Sequence, residues 1–348
     1  MMTSKRMNKK QFALPLVIGT SYLLSFTAAV LGFPQPESTQ VAIAPLSPTD
    51  PRAQLDPNLV NVAPAKPPVS NSPKTPATES SLVTPVSFNL KTRIAQLGTA
   101  QKLRTAGTTP RVTRSSEGRA PNTESVIGTD QRYLINKTTR YPWRAMTKIY
   151  MTYPNRRTYM CSGALVSAKY VLTAGHCVYS KRDGGYATKI EVIPGLNGTY
   201  KPYGSAFATN TRTYANYTTS QDSNYDIALL TLDSAIGNST GWLSYAYYPT
   251  LDGVTANIAG YPYDKDNSLK LYYNYGSITG LTAQRVSYTT DTEDGQSGSP
   301  VYRNVNRERT IFAVHTLGTS PPRITSNSGT RIDSTKFSDI TAWIATGK

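Results

Sequence analysis

The stretch Asp294-Gly295-Gln296-Ser297-Gly298-Ser299-Pro300 has the composition of a tight turn that presents a nucleophilic serine. A strand-like run, Pro300-Val301-Tyr302-Arg303, follows it directly. Gly295 allows backbone N–H groups to point into a concavity, so the N–H groups of Gly295 and Ser297 can form an oxyanion hole. Alone, the motif is weak and more often marks an ordinary Gly/Ser turn of a β-protein.

Two upstream segments supply the partners that a nucleophilic serine needs. His176 follows the apolar run at 170–172, and Asp226 stands at the head of the apolar run at 227–230. Because a serine hydroxyl is a weak nucleophile at neutral pH, a general base must take its proton. His176 is predicted to do so, with Asp226 holding the imidazole tautomer and stabilising the imidazolium. A core histidine and a strand-capping aspartate are the alternatives, but their joint occurrence with Ser297 favours catalysis.

The order histidine, aspartate, serine along the chain is that of the chymotrypsin-type triad, whereas subtilisins and α/β-hydrolases use other orders. The chain resembles the trypsin- and chymotrypsin-like serine endopeptidases, and among them the bacterial glutamyl endopeptidases, over about residues 125 to 348. Further motifs that carry the resemblance are Ser125-Val126-Ile127-Gly128, Tyr200–Ser205, Gly260-Tyr261-Pro262 and Ala313-Val314-His315. It implies hydrolysis of peptide bonds through an acyl-enzyme.

From Ser125 onward, short runs rich in Tyr, Thr, Val and Ile alternate with Gly, Pro, Asn and Asp clusters, which favours an all-β sandwich or barrel. The predicted strands are Ala145–Tyr153, Tyr159–Val166, Ala187–Ile193, Ile227–Leu232, Val254–Ala259, Leu269–Tyr275, Arg285–Thr289 and Thr310–Thr316. The resemblance implies a chymotrypsin-like double antiparallel β-barrel, with the active site between the barrels and their junction near residues 233–241.

One helix is predicted at the end of the chain. Apolar residues recur there at helical spacing, so they fall on one face; they are Phe337, Ile340, Trp343 and Ile344. Asp333 or Ser334 can cap the start of this helix, and Gly347 can end it.

The chain has only two histidines, and the second, His315, lies in the apolar run at 311–316. This run is expected to be a strand that lines the pocket for the residue before the scissile bond. The resemblance implies that His315 contacts a substrate carboxylate with help from a hydroxyl residue, here Thr292, and that the freed amine of Ser125 lies near the same pocket. An imidazole and a hydroxyl suit a carboxylate and disfavour Lys or Arg. A buried structural histidine is the alternative.

Two departures from the family pattern bear on specificity and activation. Trypsin-like zymogens have an aspartate directly before the nucleophile that pairs with the new N-terminus, but this chain has Gln296. Glu293 and Asp294 are acidic where relatives commonly have small residues. A nearby carboxylate would raise the pKa of His315 but repel a glutamate side chain. The same chemistry with a different specificity is therefore a second hypothesis.

The two cysteines, Cys161 and Cys177, stand 16 residues apart. In a secreted protein this pair most simply forms one disulfide, which would hold the turn that bears His176. Metal ligation with His176 as a third ligand is the alternative. We expect no metal, because no further Cys/His cluster exists in the sequence, and we expect no cofactor.

The N-terminal third of the chain differs in composition from the rest. Residues 1–32 combine basic residues with an apolar run from Phe12 to Gly32, which predicts a secretory signal peptide, with an uncleaved membrane anchor as the alternative. Residues 33–124 hold more than half of the 24 prolines and no Trp, Tyr or Cys, which predicts a largely disordered segment that buries little core. We interpret it as a prosegment, whose ordered inhibitory contacts we expect within 81–101.

The formal net charge of +16 allows acidic partners, but the basic residues are scattered and no nucleic-acid motif accompanies them, so nucleic-acid binding is not expected. The sequence therefore predicts a secreted, monomeric serine endopeptidase that prefers Glu before the cut. Its expected partners are protein or peptide substrates and its own prosegment, without stable membrane association. The composition break at Glu124–Ser125 predicts self-cleavage after Glu124. A membrane-tethered protein and an inactive, protease-like binding module are the alternatives.

Overall fold

Two closed antiparallel β-barrels account for most of this computed structural model, which describes residues 44–67, 82–102, 125–318 and 325–347. The strands are β1 (Leu82–Val83), β2 (Pro85–Asn89), β3 (Ile94–Leu97), β4 (Gln101–Lys102), β5 (Tyr133–Ile135), β6 (Met146–Thr152), β7 (Thr158–Ser167), β8 (Tyr170–Thr173), β9 (Tyr179–Ser180), β10 (Gly185–Tyr186), β11 (Lys189–Pro194), β12 (Ala206–Tyr214), β13 (Ala228–Leu232), β14 (Ser244–Tyr245), β15 (Thr255–Gly260), β16 (Leu271–Leu281), β17 (Arg285–Tyr288), β18 (Pro300–Val305), β19 (Glu308–Leu317) and β20 (Asn327–Arg331). The α-helices are α1 (Ala215–Ser220), α2 (Gly237–Thr240) and α3 (Ser334–Thr346).

The first barrel consists of neighbouring strands in the order β11-β6-β7-β8-β13-β12. It closes where β12 pairs with β11, at Glu191 opposite Phe207 and Val192 opposite Ala206. Its interior is aliphatic and aromatic, with side chains such as Ile149 fully buried. Full burial of one such side chain stabilises a fold by about 1.5–3 kcal/mol, so the strand ends that carry polar residues are held by a dense apolar interior.

The second barrel has the strand order β19-β18-β15-β16-β17-β20 and closes through pairing of β19 with β20. Its smaller core includes Ile258, Val301 and Phe312. The short strand β5 adds to β16 on the outside of this barrel, and β14 runs parallel to β19. The chain passes from one barrel to the other after β13 ends at Leu232, through a connection that contains α2.

The prediction of an all-β double barrel with a C-terminal helix is confirmed. Each of the eight predicted strands corresponds to a strand whose bounds differ by a few residues, with the largest difference at the end of β16. Helix α3 begins after Asp333, whose side chain accepts a hydrogen bond from the backbone N–H of Lys336, and it ends at Gly347 with a φ of 65°. Its apolar face packs on the core through buried Ile340 and Trp343.

Residues 82–102, the second N-terminal stretch, extend the sheet of the first barrel. Strand β2 pairs with β12 from Pro85 opposite Tyr214 to Asn89 opposite Asn210, and β3 pairs with β2. Phe88 is buried and stacks on Tyr186 with ring centroids 4.3 Å apart. The expectation that residues 33–124 bury little core is therefore wrong for this stretch, because it uses the barrel as its core instead of forming one.

Residues 44–67, the first N-terminal stretch, also pack on the first barrel. Ala53 and Leu55 are buried, and the backbone N–H of Leu55 donates to the carbonyl of Thr199 at 2.8 Å. The stretch contains two 3-10 turns, each opened by an aspartate that caps it: Asp50 before Pro51 and Asp56 before Pro57. Here again the expectation of little burial is wrong.

Two predicted features fall outside the described residues: the signal peptide at 1–32 and the cleavage site at Glu124. In the part of the chain that the structure describes, no helix has the length and apolar character required to cross a bilayer.

Candidate active site

His176 and Asp226 meet at the ends of two adjacent strands. His176 lies in a 3-10 turn directly after β8, and Asp226 lies just before β13, which pairs with β8 at Thr173 opposite Ala228. One carboxylate oxygen, Oδ2, lies 2.8 Å from His176 Nδ1, and Oδ1 accepts the backbone N–H of His176 at 2.9 Å. Both side chains are buried. The two contacts fix the imidazole ring and leave Nδ1 as its proton-donating nitrogen toward the carboxylate.

The turn around His176 leaves no room for larger residues. A Cβ atom at Gly175 would lie 3.0 Å from Cδ1 of Tyr217 and 3.1 Å from Oδ1 of Asp226. Burial raises the pKa of the Tyr217 hydroxyl well above its ordinary value, and the charge of Asp226 raises it further, so Tyr217 stays protonated. Glycine at 175 thus allows the carboxylate to approach the backbone of His176.

Arg285 lies near Asp226. Its Nη1 donates to the carbonyl of Ser223, in the turn that leads into Asp226, at 2.9 Å. Burial lowers the pKa of Arg285, while attraction to Asp226 opposes that effect. Because a guanidinium remains charged in proteins, it places a positive charge close to the buried carboxylate.

Ser297 lies in a turn whose backbone is held from several sides. Gly295 and Gly298 have φ angles of 96° and 84°, a region that favours glycine. A Cβ atom at Gly298 would lie 2.2 Å from both the carbonyl oxygen of Ser162 and Oγ1 of Thr173. The backbone N–H of Ser162 donates to the carbonyl of Ser297 at 2.8 Å. The turn therefore packs directly on the first barrel, next to the strand that leads to His176.

The peptide between Asp294 and Gly295 is oriented by its carbonyl. That oxygen accepts the backbone N–H of Tyr263 at 2.7 Å. In a trans peptide the N–H points opposite to the carbonyl, so the Gly295 N–H is directed away from Tyr263. The next carbonyl, that of Gly295, accepts the hydroxyl of Ser162 at 2.9 Å. The first contact pre-orients the Gly295 N–H, one of the two donors that the sequence predicts for the oxyanion hole, and the second holds the neighbouring peptide of the turn.

Gln296 stabilises the turn without a charge. Its backbone N–H donates to the carbonyl of Glu293 at 3.0 Å, and its side-chain Oε1 accepts the Glu293 N–H at 3.1 Å. The side chain is buried. The turn is thus closed by its own residues, and the amide makes no ion pair with an incoming N-terminus.

Cys161 and Cys177 form the predicted disulfide, with their Cα atoms 6.2 Å apart. The bridge joins β7 to the turn that contains His176, and Cys177 Sγ lies 3.9 Å from the carbonyl oxygen of Ser297. It therefore connects the predicted base to the neighbourhood of the predicted nucleophile. Both sulfurs are consumed by the bridge and His176 Nδ1 is held by Asp226, so these three side chains do not fit a metal ion, although their ligand atoms lie within 4.8 Å of one another.

His315 lies on β19 and is tied to the nucleophile turn through its backbone. The Gly298 N–H donates to the carbonyl of His315 at 2.8 Å, and the His315 N–H donates to the carbonyl of Ser299 at 2.9 Å. Its fully buried ring has Nδ1 2.6 Å from the hydroxyl of Tyr288. A tyrosine that donates to Nδ1 leaves the ring proton on Nε2.

Tyr288 reaches His315 across an intervening strand. Strand β20 lies between β17 and β19, and its Gly329 is paired with His315. A Cβ atom at Gly329 would lie 3.3 Å from the Tyr288 hydroxyl and 2.6 Å from the carbonyl oxygen of Val314. The missing side chain thus leaves room for this contact, which no local sequence signal predicts.

Thr292 and Ser125 lie next to each other. The backbone N–H of Thr292 donates to the carbonyl of Ser125 at 3.3 Å, and the buried Oγ1 of Thr292 has no hydrogen-bond partner among the described residues. Asn327 holds Ser125 from the other side, since its Oδ1 accepts the Ser125 N–H at 3.1 Å and its Nδ2 donates to the Ser125 carbonyl at 2.6 Å. Asp291 anchors the following residues by accepting the N–H of Ile127 at 2.8 Å.

Behind Gly295 lies a buried amine that the sequence did not single out. Lys148 Nζ donates to Oγ of Ser268 at 2.6 Å and lies 2.8 Å from Sδ of Met160. Burial lowers the pKa of this lysine well below its ordinary value. A Cβ atom at Gly295 would lie 2.5 Å from Cε of Met160, so the lysine cluster and the turn are in direct contact.

Comparison with known proteins agrees with this geometry. A family model described as Trypsin matches residues 134–344, which is more than half of the chain. The chain therefore belongs to the trypsin family, and the protein is a serine endopeptidase with a trypsin-like fold.

Particular relatives refine this assignment. The glutamyl endopeptidase of Bacillus licheniformis is 35% identical over 237 residues, which cover 66% of this chain and 72% of the relative. The extracellular metalloprotease of Bacillus subtilis strain 168 is 39% identical over 223 residues, covering 63% of this chain and 69% of the relative. A solved structure of Glu endopeptidase in complex with MPD has 32% identity and a TM-score of 0.57, and the match covers 64% of this chain and 100% of that chain.

Proposed function

We propose that this protein is a secreted endopeptidase that cleaves polypeptides after glutamate, and less readily after aspartate, with Ser297 as nucleophile, His176 as general base and Asp226 as its orienting partner. Secretion is supported by the disulfide, since such bonds persist in oxidising compartments, and by the name of the extracellular B. subtilis relative. The preference for glutamate is supported by the pocket and by the two glutamyl endopeptidase relatives.

In the proposed reaction, His176 takes the proton of Ser297 as Oγ attacks the carbonyl carbon of the scissile bond. The N–H groups of Gly295 and Ser297 bind the oxyanion that develops, and each such donor is worth about 3 kcal/mol of transition-state stabilisation. His176 then gives its proton to the leaving amine, and water hydrolyses the acyl-enzyme by the same steps in reverse. Asp226 stabilises the imidazolium form of His176, because its Oδ2 lies 2.8 Å from His176 Nδ1.

The observation that carries the specificity is the fully buried His315, joined to the Ser297 turn by two backbone hydrogen bonds. If Tyr288 donates to Nδ1, Nε2–H becomes a donor for a substrate carboxylate. Thr292 offers a second donor, since its buried hydroxyl has no partner in the described residues. Such a site rewards a carboxylate, because a substrate without one would leave the buried Thr292 hydroxyl unsatisfied.

A peptide library that varies the residue before the cut tests this proposal. Wild-type enzyme should cleave after Glu with the highest kcat/KM, and Ser297→Ala should abolish cleavage of every peptide. Ser299→Ala is a matched control, because the buried Ser299 hydroxyl has no hydrogen-bond partner in the described residues, so this variant should retain activity. Dominant cleavage after Lys, Arg or an aromatic residue would contradict the proposed pocket. Near-normal turnover by Ser297→Ala would contradict the assigned nucleophile.

The same specificity would let the enzyme process itself after Glu124, giving a mature chain that starts at Ser125. N-terminal sequencing of secreted protein should then find Ser125, and Glu124→Ala should slow maturation while the matched Glu117→Ala should not. The Ser297→Ala precursor should remain uncut until active enzyme is added. A mature chain that starts at Ala120, or normal processing of the Ser297→Ala precursor by itself, would rule out self-cleavage.

A further inference from the structure

The end of the first N-terminal stretch lies against the strand that leads into the disulfide. The Ala65 N–H donates to the carbonyl of Met160 at 2.9 Å, and the Met160 N–H donates to the carbonyl of Ala63 at 2.9 Å. These bonds make a parallel bridge centred on Pro64. Because Met160 directly precedes Cys161, residues 63–67 pass beside the catalytic centre. The stretch within 81–101, where the sequence predicts the inhibitory contact, pairs with β12.

The next residue, Lys66, reaches the nucleophile turn. Its Nζ lies 2.8 Å from Oδ2 of Asp294, the residue before Gly295. The Asp294 side chain is 16% exposed, whereas that of Lys66 is 57% exposed. A largely covered carboxylate has lost most of its water and gains from a cation, while the lysine stem extends to it from the surface. This contact joins the N-terminal stretch of the first barrel to the second barrel.

The position of this contact relative to the scissile bond follows from the pocket. A residue bound at His315 lies on the β19 side of Ser297, so the chain beyond the scissile bond must leave on the opposite side. That side holds the disulfide and Met160, since Cys177 Sγ lies 3.9 Å from the Ser297 carbonyl oxygen. A cavity of about 470 Å³ lies beside His176, and its lining includes Lys66 and Pro67 as well as Lys181 and Arg182, whereas Asp294 and Met160 lie outside it.

We infer that Asp294 and the backbone of Met160 form a subsite for a lysine or arginine side chain on the leaving-group side of a bound polypeptide, and that Lys66 occupies this subsite in the precursor. The inference rests on the proposed function, because attack by Ser297 defines the leaving-group side. It also gives Asp294 a role: the carboxylate selects a basic residue after the cut and does not act in the glutamate pocket.

The sign of the selectivity follows from the charge of Asp294. A basic side chain replaces Lys66 in the ion pair once the N-terminal stretch is gone, whereas an acidic side chain is repelled. A partly exposed ion pair of this kind changes affinity by up to about fivefold. The backbone of Met160 contributes to every polypeptide equally, so it supplies affinity without this selectivity.

Activity measurements test the substrate half of the inference. Enzyme matured from the full chain is given internally quenched peptides with Glu before the cut and Lys, Ala or Glu at each of three positions after it. At one position, Lys should give a kcat/KM about two- to fivefold above Ala, with Glu below Ala. Asp294→Asn should remove this preference and Asp294→Lys should reverse it. Asp252→Asn, at an exposed aspartate in the turn before β15, is the matched charge control and should keep it. Equal rates for all three residues at every position would overturn the subsite.

A measurement without catalysis tests the precursor half. In the uncut Ser297→Ala full chain, Lys66→Glu should raise hydrogen–deuterium exchange at residues 63–67, and the charge-swapped pair Lys66→Glu with Asp294→Lys should restore protection. Unchanged exchange in Lys66→Glu would overturn the assignment of Lys66 to the subsite. A matured chain with no peptidase activity would overturn the proposed function and the substrate half with it, whereas the exchange experiment would still report whether Asp294 binds Lys66.

Discussion

The two barrels have the same number of strands in equivalent order, yet they hold their parts of the site by different means. The first barrel holds His176 by a covalent bridge at the next residue and by two contacts to Asp226. The second barrel holds Ser297 by glycines with positive φ angles and by backbone hydrogen bonds. The proposed proton-transfer residues thus belong mainly to the first barrel, whereas the proposed substrate pocket belongs to the second barrel.

The described residues of the N-terminal third also fall into two groups, one on each barrel. Residues 44–67 and 82–102 pair mainly with strands of the first barrel; other contacts include the ion pair between Lys66 and Asp294 and a hydrogen bond from Gln101 Nε2 to Asp339 of α3. Residues 125–135 lie on the second barrel, where Asn327 binds Ser125 and β5 pairs with β16. A cut between residues 124 and 125 would therefore separate contacts that lie mainly on the first barrel from contacts that lie on the second barrel. The new N-terminus would already be seated when the preceding chain departs.

Replacing Asp226 by Asn is the strongest test of what the first barrel contributes to proton transfer. The amide cannot stabilise an imidazolium at His176 and favours the wrong tautomer, so kcat should fall by about four orders of magnitude for every substrate. The ranking of residues before the cut should not change. Steady-state kinetics on Glu and Asp peptides measures both quantities. A loss restricted to Glu substrates would break the division between the barrels.

Removing the disulfide has the next largest expected effect. The pair Cys161→Ser and Cys177→Ser should lower the free energy of unfolding by about 2–4 kcal/mol, the usual range for a native bridge. It should also lower kcat, because the bridge positions the turn of His176. Urea unfolding together with kcat measures the two effects. Unchanged stability and activity would show that hydrogen bonds alone hold the turn.

Replacing Tyr288 by Phe tests what the second barrel contributes to the selection of a glutamate before the cut. It removes the hydroxyl 2.6 Å from His315 Nδ1, so the tautomer that donates to a carboxylate is no longer enforced. We expect kcat/KM for Glu peptides to fall about tenfold, the cost of roughly one hydrogen bond to a charged group. Peptides with an uncharged residue before the cut should change less. An equal loss for all peptides would instead indicate a general disturbance of β19.

Replacing Lys148 by Met has the smallest expected effect, and it is a gain in stability. The folded-state pKa of Lys148 is lowered by burial, so between that value and its unfolded value of about 10.4 the unfolded chain binds a proton that the folded chain does not. Its contribution to stability is therefore fully present only above about pH 10.4 and is lost as pH falls. Lys148→Met should raise the free energy of unfolding at pH 7 by about 1 kcal/mol. It should also flatten the increase in the free energy of unfolding between pH 7 and 10, which urea titrations measure.

The sequence predicted those features that depend on few residue types in short motifs. The cysteine pair belongs to this group, and so does the strand pattern with its C-terminal helix; His176 and Asp226, predicted as partners, lie in hydrogen-bond contact. Tyr288 was not predicted, because it meets His315 only through the register of β17, β20 and β19 and the missing side chain at Gly329. Such contacts between distant strands leave no local pattern.

The ordered N-terminal stretches were missed for another reason. Their Pro-rich composition cannot build a core, and it does not, because residues such as Phe88 are buried against the first barrel. Composition predicts whether a segment can fold by itself, and it does not predict whether the segment can fold on a neighbour. The ion pair between Lys66 and Asp294 was unpredictable on the same ground, since it joins residues far apart in the sequence.

The pairing of β2 with β12 has a consequence for the lifetime of the mature enzyme. Loss of residues up to 124 would leave the backbone of Asn210–Tyr214 without the strand that pairs with it here. An unpaired edge of this kind accepts other extended chains. The barrel would also have folded while paired with a strand that is later removed. For such a molecule, survival outside the cell is set by how slowly it unfolds and not by how readily it refolds.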